Sequence, residues 1–423
     1  MKTLLALLFV CAHALAQDPA ALFRRHFPAG SIGALSDQAF CAEDDRGSTW
    51  SYRPQAIQRI ASVSKLFTTL AALDAWPADQ RWGTRFTLAG TRLHISGSGD
   101  PWFEEEKVLG LIDALQKLGV TRLDEVTYDQ WFLFTDAQPM SHATLTIAEV
   151  GAALSRYFTP SGGFGPGPRG ALALARSTMA EHGVTHPLPV RGIPTVRVRH
   201  SATNPLANVP GAQILRHESR PLKDILKAMN VYSKNKVAQN VWAGATRNRA
   251  HAEVFTRHGI PATEVVMRNG SGLAIMAGTA GRLENTATCR AVLRMLAALE
   301  LIVRERGLTL EEVVGVGTDP GSYKERFLND GAVKAAVIAK TGTLRNTSSL
   351  AGWIEGAAPF RFAILNQPTV AGGAANARVF QDRLLSLWMR EAGPALARAY
   401  TPLSVYPLEG DFLNQQHTVT NRQ

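Results

Sequence analysis

Three short groups of polar residues follow one another along the chain: Ser62-Val63-Ser64-Lys65, Ser233-Lys234-Asn235 and Lys340-Thr341-Gly342-Thr343. Their types suit acyl transfer by a serine whose base is a lysine. A serine hydroxyl is a poor nucleophile until a neighbouring group takes its proton. Ser62 and Lys65, three apart on a helix, share a face. A lysine near its ordinary pKa of about 10.4 is protonated at neutral pH and cannot serve as a base. Burial and a second cation lower that value, and Lys340 supplies the second cation. The order of the three groups matches the S-x-x-K, S-D-N, K-T-G pattern of serine enzymes of this kind.

The elements that must position these residues are legible around them. Leu66, Phe67, Leu70, Leu73 and Trp76 recur with a period of about 3.6 after Ser62, which predicts a buried helix. Ser62 then falls at the helix N-terminus, where backbone N–H groups favour an anionic oxygen. Taken alone, Ser62 reads as an ordinary N-cap; the two motifs downstream reverse that reading. For the second motif, residues 221–230 and 237–245 read as helices with Ser233 and Asn235 in the connection. Two residues apart on a bent segment, they aim the same way and leave Lys234 pointing elsewhere. The plainer alternative is a polar loop. In the third motif the apolar run 335–339 ends at Lys340 and fits a buried strand. Gly342 lets another backbone lie close, so a peptide could add to that strand. Lys340, Thr341 and Thr343 offer a cation and two hydroxyls, suited to a carboxylate. Here the alternative is a strand running into a turn.

The chain resembles the low-molecular-mass class C penicillin-binding proteins, the serine D-Ala-D-Ala carboxypeptidase/endopeptidase family. The likeness extends beyond the three motifs. Gly97-Ser98-Gly99-Asp100-Pro101 resembles the family's Gly-Asp-Pro element, Asn269-Gly270-Ser271-Gly272-Leu273 its D-G-S-G-L element, and Leu350-Ala351-Gly352-Trp353 its L-A-G-Y/F strand. The resemblance implies an α+β fold. A β-lactamase/transpeptidase-like domain, an antiparallel sheet flanked by helices with a mainly helical subdomain, carries an inserted smaller α/β domain. It also implies roles. Ser62 is the nucleophile and Lys65 its base; Ser233 relays a proton to the leaving amine. Asn235 holds the acyl-side amide, and Lys340 with Thr341, Gly342 and Thr343 holds the terminal carboxylate. The N–H groups of Ser62 and Thr343 form the oxyanion hole. Penicillins and other β-lactams would trap the same serine. No metal or organic cofactor enters this chemistry.

Departures from the family pattern are specific. Lys234 stands where Asp is usual, which adds a cation. Asn269 replaces the usual Asp. Only 171 residues separate Ser62 from Ser233, so the inserted domain is expected to be trimmed. Within it, Val126-Thr127-Tyr128-Asp129-Gln130-Trp131-Phe132 resembles the family strand that ends near the mouth of the active site. Asp129 could meet the free amine of a diaminopimelate side chain, with Trp131 packed on its methylenes; the alternative is an exposed aspartate beside a core tryptophan.

Residues 1–16 read as a signal peptide, with Lys2, an apolar stretch and Ala14-Leu15-Ala16 as the cleavage site. The stretch is too short to span a bilayer. Export is the direct reading, and the family places the chain in the periplasm. Cys41 and Cys289 remain after cleavage; an oxidising compartment permits a disulfide, and two buried thiols are the other outcome. The net charge is +10 and the pI about 9.7. The basic residues are scattered with no nucleic-acid-binding signature. They suit an anionic cell-wall polymer or membrane surface, or are no more than a solvated surface.

The 423 residues allow two or three domains. We place residues 17–85 and 205–423 in the catalytic domain and 86–204 in the insertion. In the first, strands are expected near 31–42, 48–53, 348–355 and 360–366, with a helix at 376–391. In the second we expect a hairpin at 86–96, a helix at 104–118, a strand at 125–134, a Gly/Pro-rich loop at 159–169 and a helix at 170–182. The tail after Pro402 has no periodicity and reads as loose. His251 and His258 share a helix face without a metal-binding signature. Two other functions fit the same motifs. A serine β-lactamase needs a deacylating base, which the sequence does not offer: Glu264 and Asn269 are five apart rather than the four of that class, and Asn269 already belongs to the N-G-S-G-L element. A non-catalytic peptidoglycan-binding protein is supported by Lys234.

Overall fold

The computed structural model describes residues 18–135, 146–158, 171–181, 192–276, 281–356, 359–392, 400 and 412–418. The signal peptide at 1–16 and the loop at 159–169 lie outside them. The chain divides into two compact units: Met1–Ala75 with Met229–Ser233 and Thr246–Pro402, and Trp76–Ala228 with Lys234–Ala245 and Leu403–Gln423.

The first unit is built on a six-stranded antiparallel sheet. Its order is Gly315–Val316, Val337–Leu344, Thr347–Ile354, Phe360–Asn366, Ala39–Asp44 and Thr49–Tyr52. Early and late segments of the chain thus share one sheet, with Ala39 opposite Leu365 and Asp44 opposite Phe360. Thr347–Ile354 is buried along its whole length, as a central strand must be when both faces are covered. One face carries Phe40, Leu350, Phe362 and Ile364 into a core with Phe23 of the Pro19–His26 helix and Phe380, Leu384 and Trp388 of the Gly373–Ala392 helix. Side chains alternate along a strand, so Cys41, between Phe40 and Ala42, points to the other face. There it is bonded to Cys289, the first residue of the Cys289–Glu305 helix, across 248 residues and a Cα separation of 5.7 Å. Of the two outcomes open for the cysteines, the structure has the disulfide.

The second unit has its own six-stranded sheet: Phe412–Thr418, Gln213–Glu218, Gly83–Ala89, Arg92–Ser96, Leu123–Tyr128 and Thr195–His200. Gly83–Ala89 and Arg92–Ser96 form the expected hairpin. Arg92–Ser96 and Leu123–Tyr128 run parallel, as do Leu123–Tyr128 and Thr195–His200. Parallel neighbours need a crossover, and Glu105–Lys117 supplies the first. Its Val108, Ile112 and Leu115 meet Phe86, Leu93, Ile95 and Val126 in one core. Asp100 of the Gly-Asp-Pro element is spent on this unit: its carboxylate accepts from the Trp102 N–H at 2.9 Å and from the fully buried Lys107 ammonium at 2.9 Å.

Several expectations shift. Residues 31–37 are short helical turns, and the first strand begins at Ala39. The strand expected to reach residue 134 ends at Tyr128, because the chain turns at Asp129. The tail is not wholly loose: Phe412–Thr418 pairs with Gln213–Glu218. The second unit is accordingly wider than the 86–204 insertion we place inside it. The helix Ala171–Glu181 and the strand Phe360–Asn366 fall where expected. No helix among the described residues is long and apolar enough to cross a membrane.

Candidate active site

Ser62 lies in a single 3-10 turn, Ala61–Val63, that leads into the Ser64–Ala75 helix. Ala61, just before it, has a φ of 45°. A non-glycine residue in the left-handed region costs on the order of 1–3 kcal/mol and persists only when its surroundings impose it. They do. Ser64 Oγ donates to the Ala61 carbonyl at 2.6 Å. That carbonyl packs directly on Gly272, where a Cβ would overlap it. A Cβ on Gly342 would lie 2.7 Å from the Ile60 carbonyl and 3.1 Å from the Ser62 nitrogen. The backbone that Gly342 admits is therefore the turn carrying Ser62.

The outcome separates the two serines. Ser62 is half-buried; Ser64 is fully buried and committed to its hydrogen bonds. Lys65 Nζ stands 3.1 Å from Ser62 Oγ and donates to the Ser271 carbonyl at 2.8 Å. Lys65 is wholly buried. Burial, and secondarily the charge of Lys340, hold its pKa well below the ordinary lysine value. Lys340 is also wholly buried; burial and then Arg326 bring it down to about 7. Its Nζ donates to the Thr341 carbonyl at 3.0 Å.

Lys340, Thr341, Gly342 and Thr343 lie on Val337–Leu344. One edge of that strand pairs with Thr347–Ile354 along its length. On the other edge Gly315–Val316 pairs with Ile338 and Ala339, and the Gly317 N–H donates to the Val337 carbonyl at 2.9 Å. Among the described residues, the outer edge of Lys340–Leu344 carries no strand, so its backbone is open to strand addition.

Ser233 sits in the turn between Leu222–Val231 and Asn235–Ala245, with a φ of 54°, again strained for a non-glycine residue. Asn235 is not in the connection, as the sequence suggested, but is the first residue of the following helix. Lys234 turns to Glu104, with Nζ 2.8 and 3.1 Å from the two carboxylate oxygens, and lies 5.5 Å from the Trp102 ring centroid. Both ends of this ion pair are largely buried. The extra cation left by the departure from Ser-Asp-Asn is thus met by an acid 130 residues away.

Asp129 caps the turn that ends its strand: Oδ1 accepts from the N–H groups of Gly97 at 3.0 Å and Trp131 at 2.9 Å. Trp131 is 43% exposed and so is not a core residue. His258 Nε2 lies 3.4 Å from Asp74 Oδ1. Sequence reasoning missed Asn285, which is buried and bonded to Ser64. It stands in no motif, and its partner is 221 residues distant.

Comparison with known proteins assigns the class. The sequence pattern of the D-Ala-D-Ala carboxypeptidase 3 (S13) family matches residues 39–143 and 177–379, which include all three motifs. The chain belongs to that family. It is therefore a serine-type D-Ala-D-Ala carboxypeptidase, a hydrolase of peptidoglycan peptides. No curated protein matches it in sequence. Among solved structures it is similar to the predatory endopeptidase Bd3459 from Bdellovibrio bacteriovorus in complex with immunity protein Bd3460. That match has a TM-score of 0.76 at 22% identity and spans 90% of this chain and 99% of that one. The penicillin G-acylated form of Bd3459 aligns with a TM-score of 0.73 at 23% identity, over 90% and 99% of the two chains. Penicillin binding protein 4 (dacB) from Haemophilus influenzae aligns with a TM-score of 0.57 at 16% identity, over 87% and 99%. These likenesses establish the transpeptidase-like fold of this family member.

Proposed function

We propose that the chain cleaves D-Ala-D-Ala bonds in two steps through an acyl-enzyme on Ser62. The observation that carries this reading is the 3.1 Å approach of the buried Lys65 Nζ to Ser62 Oγ. A neutral amine donates one N–H to the Ser271 carbonyl and keeps its lone pair for the serine proton. Ser62 then attacks the penultimate D-Ala carbonyl. The N–H groups of Ser62 and Thr343 receive the developing oxyanion, a contribution typically worth about 10²–10³ in rate per donor. The close approach of Gly342 to the Ser62 nitrogen supports that pairing. Ser233 passes a proton to the departing amine, and Asn235 holds the acyl-side amide. Lys340, Thr341 and Thr343 hold the terminal carboxylate along the open edge of their strand. Water releases the acyl-enzyme.

Penicillin presents the same carbonyl and carboxylate and would acylate Ser62. The solved relatives include a penicillin-acylated endopeptidase, so cleavage of cross-links is proposed beside carboxypeptidase action. A β-lactamase is disfavoured. Glu264, the acid set aside on its spacing, accepts from Thr288 Oγ1 at 2.8 Å and from Arg290 at 2.5 Å; burial pushes its carboxyl up, but Arg290, Thr288 and Arg294 together outweigh it and hold it below the usual range. The Glu104 partner of Lys234 likewise removes the support for a non-catalytic scaffold. We place the mature enzyme in the periplasm, exported by residues 1–16 and cleaved after Ala16. There its positive surface meets an anionic cell-wall polymer or membrane surface.

Asp129 is proposed as the contact for the free amine on residue three of the stem peptide. Its Oδ1 is taken by two backbone N–H groups, which leaves Oδ2 for an incoming ammonium. Release of D-Ala from two pentapeptides, one with that amine free and one acetylated, tests the function and the contact together. Wild-type enzyme is expected to release D-Ala from both and to prefer the free amine several-fold. Asp129→Asn is expected to narrow that preference while penicillin acylation stays the same. No D-Ala from either peptide would remove the function; an unchanged preference in Asp129→Asn would remove the residue from the substrate site.

A further inference from the structure

Three residues before Ser233, one buried side chain reaches the supports of both other motifs. Asn230, in the last turn of the Leu222–Val231 helix, is wholly buried. Its Nδ2 donates to Thr69 Oγ1 at 3.0 Å and to the Val313 carbonyl at 2.8 Å. Thr69 lies one turn beyond Lys65 on the same helix, and its Oγ1 donates to the Lys65 carbonyl at 2.8 Å. Val313 leads through Val314 into Gly315–Val316, which pairs with Ile338 and Ala339 immediately before Lys340. One amide therefore ties the segment that ends in Ser233 to the helix of Lys65 on one side and to the strand of Lys340 on the other.

Both bonds are donations. A leucine of similar size fills the same space but donates nothing, and an ionised aspartate offers only acceptors. Among the described residues Oδ1 has no hydrogen-bond partner, so what the amide contributes is its two donations. The residues that follow are held from a second direction. A Cβ on Gly321, itself at a φ of 72°, would lie 2.8 Å from the Val231 carbonyl and 3.0 Å from Tyr232 Cδ1. The chain thus enters the Ser233 turn already fixed at 230, 231 and 232. A φ of 54° at Ser233 requires such fixing, because strain of that kind persists only where the surroundings impose it.

We propose that Asn230 is a positioning residue for proton delivery: through Thr69 and Val313 it sets Ser233 in register with Lys65 and Lys340. This deepens the reading of Ser233 as the group that passes a proton to the leaving amine, and rests on it. In amide cleavage Ser62 Oγ bonds to the carbonyl carbon, the C–N bond breaks, and the proton lost by Ser62 must arrive on the nitrogen. An amide nitrogen does not depart as an anion, so a displaced Ser233 slows this step. A thioester with sulfur at the scissile position differs. Its leaving thiol has an ordinary pKa of about 8.5 and departs as the thiolate. Its cleavage needs Lys65 and the oxyanion hole but not Ser233.

The test compares kcat/KM of the full chain on an acyl-D-Ala-D-Ala peptide and on its thioester counterpart. Ser233→Ala is expected to lose at least about 10²-fold on the amide, the scale of a positioned proton donor, and little on the thioester. Asn230→Leu is expected to reproduce that selective loss. On the amide, the double variant is expected to fall within about twofold of Ser233→Ala, the precision to which independent effects add. Thr69→Val removes the hydroxyl that Nδ2 reaches; it is the second variant should Asn230→Leu fail to fold, and the same selectivity is expected of it. Equal losses on both substrates in a folded variant would mean support of Lys65 or of the fold at large, and would overturn the proposal. Full amide activity would overturn it too. Should Ser233→Ala itself lose amide and thioester alike, the relay reading fails, and the double variant then decides the role of Asn230: a further loss multiplied onto that of Ser233→Ala overturns it, and no further loss keeps it.

Discussion

Ser62→Ala is expected to abolish both D-Ala release and labelling by penicillin, a loss on the order of 10⁶, the scale of removing an activated serine. The geometry makes the contrast with Ser64 sharp. Ser62 is half-buried, 3.1 Å from Lys65 Nζ, on a turn strained at Ala61. Ser64, two residues on, is sealed in the interior and hydrogen-bonded to the Ala61 carbonyl and to Asn285. Ser64→Ala removes bonds from the support of the turn, so it slows acylation, but the label stays on Ser62. A label that survives Ser62→Ala would end the assignment of the nucleophile.

Lys65→Ala is expected to leave a folded protein that acylates at least about 10²-fold more slowly, the usual scale for a positioned base. The pH dependence carries the sign of the mechanism. A base acts in its deprotonated form, so the wild-type rate rises with pH as Lys65 loses its proton. Burial and Lys340 bring that limb down from the ordinary lysine range. In Lys65→Ala the limb disappears, and the small residual rate no longer follows it. Stopped-flow acylation from acid to mildly alkaline pH reads both effects. An unchanged rate in Lys65→Ala would end the lysine-base mechanism.

Some of this site is legible in sequence because its chemistry is concentrated in short segments. Ser62 and Lys65 need only one helical turn to meet. Lys340 to Thr343 need only one strand, and the apolar run before them ends where the polar residues begin. The Phe360–Asn366 strand is bounded as read because its apolar residues stand between turn-forming segments. The rest is made by contacts between distant residues, which no local pattern encodes. Glu104 meets Lys234 across 130 positions, and Asn285 meets Ser64 across 221. Cys41 and Cys289 are joined across 248. The Phe412–Thr418 strand has no alternation to announce it and exists through backbone pairing to Gln213–Glu218. Residues 31–37 hold a single β-branched residue, Ile32, among Ser, Gly, Ala, Leu and Asp; they fold as short helical turns, and the strand starts at Ala39, where the register with Leu365 begins.

The most direct measurement of the central claim, an acyl-enzyme on Ser62, is the intact mass of the wild-type protein after penicillin treatment, followed over hours and mapped by peptide digestion. The expected result is a single adduct of the drug's mass on the peptide that contains Ser62, persisting for hours. An adduct lost within minutes would make the protein a β-lactamase. The absence of any adduct, or an adduct on another residue, would contradict the assignment of Ser62 as the acylated serine.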